Sequence, residues 1–296
     1  MSKSKVLVIV GPTASGKTSL SISLAKKFDG EITSADSRQV YKGLDIGTGK
    51  VTKGEMEGVP HHLLDVVCPE ETYTVADFVR DGRNAITDIH SRGRLPIIVG
   101  GTFFYVDALL GKIVTPEVPP NQKLRAELED CSNEDLFLRL QEKDPKRSKN
   151  IDQHNGRRLI RALEIVDSLG SVPKIHVEEL YDVLTLGIAI NRDTLKENIH
   201  TRLADRLKTG MLEEVTELHK AGLSYERLSE LGIEYQYLSK FIQGNISEDE
   251  MRQQIETKSW QYAKRQMMWL KRDKTIQWVK LDELEKIDTL VNKFLR

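Results

Sequence analysis

Short apolar runs alternate with amphipathic stretches through the first hundred residues of the chain. Four β-branched or apolar runs predict strands, at residues 5–10, 31–35, 61–67 and 95–99. Two segments with apolar positions at helical spacing predict the intervening helices, at residues 18–28 and 75–91. Thr74 is the predicted N-cap of the second helix, because Asp77 follows it at the third helical position. This alternation predicts an α/β fold, a parallel sheet flanked by helices.

The pattern changes after residue 114. Residues 115–120 read TPEVPP, and the prolines predict a stiff, extended connection that cannot continue a helix. Helix-like segments without a convincing strand follow it, at residues 122–130, 134–143 and 155–169. The strand pattern then returns, at residues 182–190 and 276–280, and a long helix is predicted at 247–271.

These changes predict two domains. The first is an α/β core with a helical C-terminal part, formed by residues 1–114 plus 182–296. The second is a helical insertion domain formed by residues 115–181. Since the core is interrupted rather than followed by the insertion, we expect both chain segments of the core to contribute strands to one sheet.

Composition adds an expectation about the compartment. Apolar residues make up 39% of the chain and charged residues 30%, which is typical of a soluble enzyme. No apolar run approaches the ~20 residues of a membrane-spanning helix, and the N-terminus leads straight into the first strand, which predicts no signal peptide. Cys68 and Cys131 are too few for a disulfide framework or a four-cysteine zinc site. We therefore expect a reduced, cytoplasmic protein without membrane contact, and a monomer.

Charge is balanced overall but uneven along the chain. The formal net charge is −1, which by itself gives no support to nucleic-acid binding. Residues 143–161 nevertheless carry seven basic side chains against two acidic ones, and residues 258–274 carry six against one. Two such patches suit a polyanion lying along one face of the protein, although each alone also fits a solvated helix surface. In the second patch, Trp260, Tyr262 and Trp269 either stack on bases or pack as core residues.

The segment after the first predicted strand carries the clearest chemistry. It matches the phosphate-binding pattern GxxxxGK[ST] between a strand and a helix, with the residues Gly11, Pro12, Thr13, Ala14, Ser15, Gly16, Lys17 and Thr18. Glycines let successive backbone amides converge on a phosphate, and the following helix adds its positive end. Lys17 is the candidate for the outer phosphate oxygens, and the Thr18 hydroxyl is the candidate ligand of Mg²⁺. A plain strand–helix turn would need neither side chain.

Phosphate binding does not imply hydrolysis, and the chain lacks the usual acidic strand end of an NTPase. The best candidate strand ends in Gly100-Gly101-Thr102 instead of aspartate. The carboxylate that does follow a strand is Asp36, and residues at strand carboxyl ends line the ligand crevice of an open α/β sheet. Asp36 is therefore expected beside the phosphate loop, as a ligand of magnesium through water or as a base on an acceptor. Its alternative role is to cap the next turn.

Adjacent histidines and paired glutamates are interpreted as structural. His61 and His62 point to opposite faces of a strand, so they cannot chelate one ion together. Glu213-Glu214 and residues 283–285 are interpreted as ordinary helix surface.

Six motifs occur in order along nearly the whole chain. They are GPTASGKT (11–18), ADSRQVYKGLDIGT (35–48), PHHLLDV (60–66), VGGT (99–102), RRLIRALE (157–164) and QYAKRQMMWL (261–270). Their order and approximate spacing resemble those of the tRNA dimethylallyltransferases, also called tRNA isopentenyltransferases. The phosphate loop alone is generic, whereas the set of six is highly specific. The absence of a C-terminal Cys/His cluster makes the bacterial type the better match.

The resemblance implies an activity. Members of that family transfer a dimethylallyl group from dimethylallyl diphosphate to N6 of the adenosine immediately 3′ of the anticodon, and they release diphosphate with Mg²⁺ as cofactor. Their fold is like that of P-loop kinases, and their helical insertion helps to grip the anticodon stem-loop of the tRNA. For this chain, the resemblance implies the same substrates and the same use of the phosphate loop.

The resemblance also implies roles for single residues. The loop residues 13–18 would hold the diphosphate, and Thr102 would lie near the reacting centre. Asp36 would accept a hydrogen bond or the proton from N6, and Arg265 would neutralise the leaving diphosphate. The tRNA contacts would be Asp36, Ser37, Arg38, Gln39, Arg157, Arg158 and Arg161.

Two positions depart from the family pattern, and two other functions stay open. Phe103-Phe104 stands where a small residue before leucine is commoner, and the usual proline after Lys50 is missing. Without the resemblance, a P-loop kinase of a nucleotide or small metabolite would be favoured, with the insertion as a lid. A third hypothesis is an RNA-binding protein without catalysis.

Overall fold

The computed structural model describes residues 3–113, 116, 118–173 and 178–296. The chain forms two compact units. Unit 1 comprises Met1–Gly111 and Glu178–Arg296, and unit 2 comprises Lys112–Val177. The predicted extended connection at 115–120, and with it the first predicted domain boundary, lie partly outside the described residues.

Unit 1 contains a sheet of six parallel strands. The strands are β1 (Lys5–Val10), β2 (Gly30–Ser34), β3 (His61–His62), β4 (Leu95–Gly100), β5 (Asp182–Ile188) and β6 (Gln277–Val279). Their order in the sheet is β3-β2-β4-β1-β5-β6, so the two segments of unit 1 join between β1 and β5. Ile9 of β1 lies opposite Val99 on one side and Leu186 on the other. The predicted parallel α/β sheet flanked by helices is confirmed.

Helices make up most of the remaining chain. Those of the first segment are α1 (Lys17–Lys27), α2 (Val75–Ser91) and α3 (Phe103–Leu109). Those of unit 2 are α4 (Gln122–Glu129), α5 (Asn133–Lys143), α6 (Pro145–Ser148) and α7 (Gly156–Leu169). The second segment of unit 1 contributes α8 (Arg192–Lys208), α9 (Met211–Lys220), α10 (Tyr225–Glu230), α11 (Ile233–Ile242), α12 (Glu248–Leu270) and α13 (Leu284–Leu295). None of the helices in the described residues is both long and apolar enough to cross a membrane.

The central strand β1 is buried on both faces because its side chains alternate between two cores. Leu7 and Ile9 belong to the core shared with α1 and α13. Val6 and Val8 belong to the core shared with α2 and α3. An uninterrupted Val/Ile/Leu run is typical of a parallel strand that is covered on both sides. The sheet that contains β1 is therefore the middle layer, with helices on each face.

Two helix starts follow local sequence signals. The Thr74 hydroxyl accepts from the Asp77 amide, while the Asp77 carboxylate accepts from the Thr74 amide, and α2 begins at the next residue. Ser247 and Glu250 form the same reciprocal pair at the start of α12. The predicted helices at 75–91 and 247–271 are therefore confirmed to within a residue.

One predicted strand is much shorter than expected. The apolar run at 61–67 predicts a strand of seven residues, but β3 contains only His61 and His62. Leu63 and Asp65 both have positive φ, 62° and 54°, which turns the chain away from the sheet. The side chain of Leu63 still enters the core, so the apolar pattern reflects burial rather than strand structure.

The helices α8 to α12 form a separate layer of unit 1 with its own core. This core includes Leu203, Val215, Tyr235 and Ile255. Residues 40–44, which follow β2, also belong to it through Val40, Tyr41 and Leu44. The segment after β2 is therefore held by the helices α8 to α12, which lie far along the chain from it.

Unit 2 is held together around one buried carboxylate. Glu164 of α7 accepts from the Arg125 guanidinium at 2.8 and 2.9 Å, from Arg161 at 3.2 Å and from the Asn121 amide at 2.8 Å. Leucines of α4, α5 and α7 pack beside it, among them Leu128 and Leu140. A buried charge is tolerated when it is fully paired, as it is here.

Candidate active site

The phosphate loop leaves β1 and turns directly into α1. Gly16 is the N-cap of α1 and has a φ of 86°, a left-handed conformation that strains other residues. The Lys17 ammonium folds back over the loop and donates to the carbonyls of Gly11 and Pro12, at 3.0 and 2.7 Å. The helix start and the lysine therefore converge on one concave surface, as an anion site requires.

Two further strand ends reach the same edge of the sheet. Asp36 follows β2, and its carboxylate accepts from the Arg38 amide at 2.9 Å. Thr102 follows β4 and is the N-cap of α3. The Thr102 hydroxyl accepts from the Ser37 amide at 3.2 Å, which joins the two strand ends. The Asp36 turn and Thr102 are thus fixed relative to each other by the backbone.

The phosphate loop and Asp36 line one cavity in unit 1, whereas Thr102 is not part of its lining. Its polar wall combines the phosphate loop with the strand ends, through Thr13, Lys17, Thr18, Ser21, Ser34, Asp36, Gln39, Thr48, His61, Arg202, Tyr262 and Gln266. Its apolar wall is formed by Ile32, Val51, Leu64 and Val99, beside the backbone of Gly49, Gly100 and Gly101. Asp36 therefore faces the phosphate loop across a space that is partly lined by hydrocarbon.

Charge in this cavity is weighted towards cations. Burial, and then the nearby Arg202 charge, lower the pKa of Lys17 to about 7, while the Asp36 charge opposes the shift. Burial likewise lowers the pKa of Arg202. Burial, and then the Asp36 charge, raise the pKa of Tyr262 to about 12. A site that disfavours its own positive charges is stabilised by an anionic ligand.

Two lining residues were not identified from the sequence. Arg202 of α8 places its guanidinium 3.3 Å from the Thr13 hydroxyl. Gln266 of α12 accepts from the Thr13 amide at 2.8 Å and donates to the Gly101 carbonyl at 2.9 Å. Gln266 lies within one of the six motifs, in which the resemblance implies a role for Arg265 beside it. The sequence does contain a signal for Arg202. Arg202 lies four residues before Arg206 in a helical segment soon after a core strand, so the two guanidinium groups share one helix face.

Comparison with known families decides the assignment. The family model described as IPP transferase matches residues 39–273, and a second, described as Isopentenyl transferase, matches residues 4–69. The chain belongs to the IPP transferase family. Among curated relatives, the tRNA dimethylallyltransferase of Anoxybacillus flavithermus is 39% identical, over 98% of this chain and 95% of that protein. The tRNA dimethylallyltransferase 1 of Geotalea uraniireducens is 41% identical, over 90% and 88%.

Solved structures agree with this membership of the IPP transferase family. The full-length tRNA isopentenylpyrophosphate transferase from Bacillus halodurans has a TM-score of 0.75 and 36% identity, covering 99% of this chain and 97% of that one. A eukaryotic dimethylallyltransferase, described as acting on tRNA, has a TM-score of 0.82 and 29% identity, covering 98% and 77%. The resemblance inferred from the six motifs is confirmed.

Arg265, for which the resemblance implies a role at the leaving diphosphate, lies against the ring of Tyr262. Its side chain is exposed on α12, with the guanidinium 5.9 Å from the centre of the Tyr262 ring, and it is not part of the cavity lining. Arg202 is the arginine that reaches the phosphate loop. A role of Arg265 at the diphosphate stays a prediction, and its present contact is with the face of a cavity tyrosine.

Among the residues after β2 that are predicted to contact tRNA, one side chain is exposed and another is hydrogen-bonded within the cavity wall. Arg38 is exposed. Gln39 is part of the cavity wall, where its amide donates to the Gly49 carbonyl and accepts from the Ser34 hydroxyl, both at 3.2 Å. The hydrogen bonds of the Gln39 side chain therefore stabilise the cavity wall. The predicted contact of Gln39 with tRNA stays a prediction.

The three arginines of unit 2 that are predicted to contact tRNA also differ in their surroundings. Arg157 and Arg158 are exposed at the start of α7. Arg161 instead donates to Glu164 and to the Val118 carbonyl, at 3.2 and 2.7 Å. Arg161 thus has an internal structural role, because Glu164 lies three residues further along the same helix.

The aromatic residues of the second basic patch have three different environments. Tyr262 lines the cavity. Trp260 packs against Leu195 and Ile199 of α8. Trp269 remains partly exposed, and its ring nitrogen donates to Asp107 at 3.0 Å. Of the three, Tyr262 is the residue that a base entering the cavity would meet.

The interpretation of Glu214 as helix surface is wrong. Its carboxylate accepts four hydrogen bonds, from the amides of Asp45, Ile46 and Gly47 and from the Tyr235 hydroxyl. Its neighbour Glu213 is exposed, so the two adjacent glutamates differ in role. Periodicity could not separate them, because the partners of Glu214 come from a loop near residue 46.

The donors around the phosphate loop fit a magnesium ion that is shared with a diphosphate. Within the described residues no three His, Cys, Asp or Glu side chains are close enough together to hold a metal. Mg²⁺ needs no such cage, since it commonly binds one or two protein oxygens, phosphate oxygens and water. The Thr18 hydroxyl and the Asp36 carboxylate are hard oxygen donors lining the same cavity.

Proposed function

We propose that this protein transfers a dimethylallyl group from dimethylallyl diphosphate to N6 of the adenosine immediately 3′ of the anticodon in tRNA. The supporting observation is that Asp36 and the phosphate loop line one cavity that also has an apolar wall. A diphosphate, a short hydrocarbon group and a base with an exchangeable proton would each find complementary groups there. Membership of the IPP transferase family supports the same reaction.

The acceptor needs help, because the N6 lone pair of adenine is delocalised into the ring. In the proposed step, N6 forms a bond to the allylic carbon as the bond from that carbon to the diphosphate oxygen breaks. The N6 proton passes to the Asp36 carboxylate, which the backbone turn to Arg38 holds in the cavity. General-base assistance of this kind is worth ~10²–10⁴ in rate.

The leaving diphosphate is the main charge to be stabilised. The loop amides, Lys17 and Arg202 supply donors and positive charge at the position where that charge develops. The Thr18 hydroxyl would hold Mg²⁺, which would supply further neutralisation of the diphosphate. The allylic carbon carries developing positive charge that is delocalised, so the apolar side chains Ile32, Val51 and Val99 serve to exclude water from it.

The acceptor base must leave its stack to enter the cavity. An unpaired loop adenosine is cheaper to extrude than a paired one, which favours an anticodon-loop position. We propose that Tyr262 meets this base, and that Ser37, Arg38, Arg157 and Arg158 contact the tRNA around it. Since the polyanionic acceptor is a cytoplasmic RNA, we expect the protein in the cytoplasm, and we expect it to act as a monomer.

The test separates prenyl transfer from phosphoryl transfer. Purified protein is incubated with labelled dimethylallyl diphosphate, Mg²⁺ and unmodified tRNA, and in parallel with γ-labelled ATP and nucleotide or metabolite acceptors. We expect label in the tRNA, at the adenosine 3′ of the anticodon, and none after that adenosine is replaced by another base. Phosphoryl transfer without tRNA labelling would establish a P-loop kinase instead. Tight tRNA binding with neither reaction would establish an RNA-binding protein.

A further inference from the structure

One wall of the cavity is a loop whose amides are gathered on a single carboxylate. Residues 48 and 49 line the cavity, and the three residues before them bind Glu214 of α9. The Glu214 carboxylate accepts from the amides of Asp45, Ile46 and Gly47, at 2.9, 2.6 and 2.9 Å. Three successive amides on one carboxylate form charge-assisted bonds that fix the loop more firmly than neutral ones would.

The same carboxylate is held from behind by a buried tyrosine. The hydroxyl of Tyr235, in α11, donates to Glu214 at 2.7 Å. The Tyr235 ring also fills the space beside Gly47, where an added Cβ would lie 2.6 Å from the ring. The loop therefore fits against α9 and α11 in one position, and a glycine is needed for it to do so.

The carbonyls of this loop face two arginines of α8. The Gly47 carbonyl accepts from Arg206 at 3.2 Å, and the Thr48 carbonyl lies 3.5 Å from the Arg202 guanidinium. Arg202 in turn reaches the Thr13 hydroxyl of the phosphate loop. Contacts thus run without a break from Glu214 through the loop at 45–49 and Arg202 to the phosphate loop.

Arg202 is largely buried between cations, Lys17 and Arg206, and the attracting charges of the acids Glu234, Asp36 and Glu55. Arg206 is itself largely buried, with a side chain 13% exposed. Arg206 has one carboxylate partner, Glu234, at 3.3 Å. Because burial disfavours the charge of Arg202, the loop carbonyl near its guanidinium helps to hold this group beside the phosphate loop.

We propose that Glu214 is a positioning residue for the diphosphate: by fixing the loop at 45–49 it determines where Arg202 presents its guanidinium. Glu214 does not line the cavity itself, so its effect must pass through the loop. The inference rests on the proposed function for the identity of the donor. It does not depend on that function for the binding of diphosphate, which can be measured without turnover.

The test compares two adjacent glutamates of one helix. Glu214→Gln keeps the side-chain shape but replaces one acceptor oxygen by an NH₂ group that faces donors, so the loop must shift. Glu213→Gln is the matched control, since Glu213 is exposed on the same helix. Gly47→Ala displaces the same loop through the Tyr235 ring and leaves the carboxylate intact. The dissociation constant of inorganic diphosphate is measured by calorimetry, and the KM values for donor and tRNA by label transfer.

We expect Glu214→Gln and Gly47→Ala each to weaken diphosphate binding about tenfold, the loss of one well-placed charged contact. The donor KM should rise in parallel, the tRNA KM should stay unchanged, and Glu213→Gln should match the wild type. Unchanged diphosphate affinity in folded Glu214→Gln would overturn the proposal. Equal weakening of tRNA and diphosphate would overturn it too, since a general structural defect has that signature.

The outcome for Glu214 is separable from that for the reaction. If the wild-type protein binds diphosphate but labels no tRNA, the proposed function fails while the comparison of variants still tests Glu214. If the wild type labels tRNA and Glu214→Gln keeps its diphosphate affinity, only the positioning role fails. Should Glu214→Gln not fold, Gly47→Ala carries the same comparison.

Discussion

The two ends of strand β2 carry charge clusters of opposite character. At the amino end, the carboxylate of Glu31 is almost fully buried, with 1% of its side chain exposed. It accepts from both arginines nearby, Arg92 and Arg94, and contacts the His62 ring at 2.7 Å. One acid is thus surrounded by more than enough donors, and the cluster is complete in itself.

At the carboxyl end the balance is reversed. Lys17 donates to loop carbonyls, and Arg202 contacts a hydroxyl and a carbonyl. Among the described residues neither cation forms an ion pair, although the charges of nearby acids, Asp36 for both and Glu55 and Glu234 for Arg202, act on them from further away. Asp36 shares the cavity, yet the site as a whole has more positive charge than its own acids neutralise.

The contrast teaches how one strand can serve stability at one end and binding at the other. A buried charge whose partners are all internal gains nothing from a ligand. A group of cations partnered only by neutral oxygens gains a great deal from an anion, which is the condition for selective diphosphate binding. Changes at the two ends of β2 should therefore have separable effects, on catalysis and binding at one end and on folding at the other.

The largest effect is expected from Asp36→Asn at the carboxyl end. Asparagine keeps the size and the hydrogen bond to the Arg38 amide but cannot take the N6 proton. We expect turnover to fall ~10²–10⁴-fold while tRNA affinity is retained, measured by single-turnover label transfer and filter binding. Asp29→Asn, at an exposed position just before β2, is the control and should behave as the wild type. Retained turnover in Asp36→Asn would remove the carboxylate from the mechanism.

The second effect distinguishes two arginines near the cavity. Arg202→Ala removes the guanidinium that reaches the phosphate loop, whereas Arg265→Ala removes one that lies over Tyr262. A charge-assisted hydrogen bond is worth about 1.5–3 kcal/mol, so diphosphate affinity should fall ~10–100-fold in Arg202→Ala. Arg265→Ala should lose much less. The opposite ranking, measured by calorimetry with inorganic diphosphate, would return the diphosphate role to Arg265.

Local signals explain why so much of the fold and site could be predicted. The apolar run of β1, the phosphate loop and the reciprocal cap at Thr74 each depend on residues within a few positions of each other. Asp36 could be predicted because strand ends of a parallel sheet meet at one edge. Where a functional residue is placed by its own strand or turn in this way, the local sequence pattern is sufficient to predict its position.

The remainder of the site depends on tertiary packing that no local pattern carries. Arg202, Gln266 and Glu214 enter through helices about 165 to 255 residues beyond the segments that they contact. Arg161 shows the opposite failure, since a basic patch suggested RNA contact but Glu164 uses its charge internally. A charged residue is therefore assigned reliably only when its partner is known.

The third effect is a loss of folding stability, and it is expected from a change at the amino end of β2. Hydrogen bonds from Arg92, chiefly, lower the pKa of Glu31 to about 2 against the pull of burial. Its folded value is depressed, so its contribution is present above the unfolded value near 4.5 and is lost as the pH falls towards 2. Glu31→Gln should destabilise the protein by about 2 kcal/mol at neutral pH and reduce that acid sensitivity. Urea unfolding at pH 7 and pH 4 measures both.

The same variant, Glu31→Gln, is also compared with the wild type in activity. Glu31→Gln should keep the wild-type donor KM and turnover per folded molecule, because its cluster does not line the cavity. A raised donor KM in this variant would contradict the separation between the two ends of β2.

The fourth effect is a pH dependence of donor binding. Burial, and then Arg202, lower the pKa of Lys17 to about 7, so the ammonium deprotonates as the pH rises through 7. The charged form binds diphosphate, which means that affinity is greatest below pH 7 and weakens above it, by about tenfold per pH unit at most. Calorimetry between pH 6 and 9 measures this, with proton uptake detected in buffers of different ionisation enthalpy. Lys17→Arg stays charged and should lose the dependence, while an unchanged slope would assign it to another group.

The smallest effect concerns unit 2 and tests whether the exposed arginines contact tRNA while Arg161, which is internally bonded, does not. Arg157→Ala and Arg158→Ala remove exposed charges at the start of α7, so each should raise the tRNA KM only a few-fold. Each lost phosphate contact should also make the slope of log affinity against log salt shallower by about 0.7–0.9. Arg161→Ala is the contrasting variant, because it breaks contacts to Glu164 and Val118 and should lower stability instead. A steeper loss of tRNA affinity for Arg161 than for Arg157, in fully folded protein, would show that the internal contacts of Arg161 open to bind RNA.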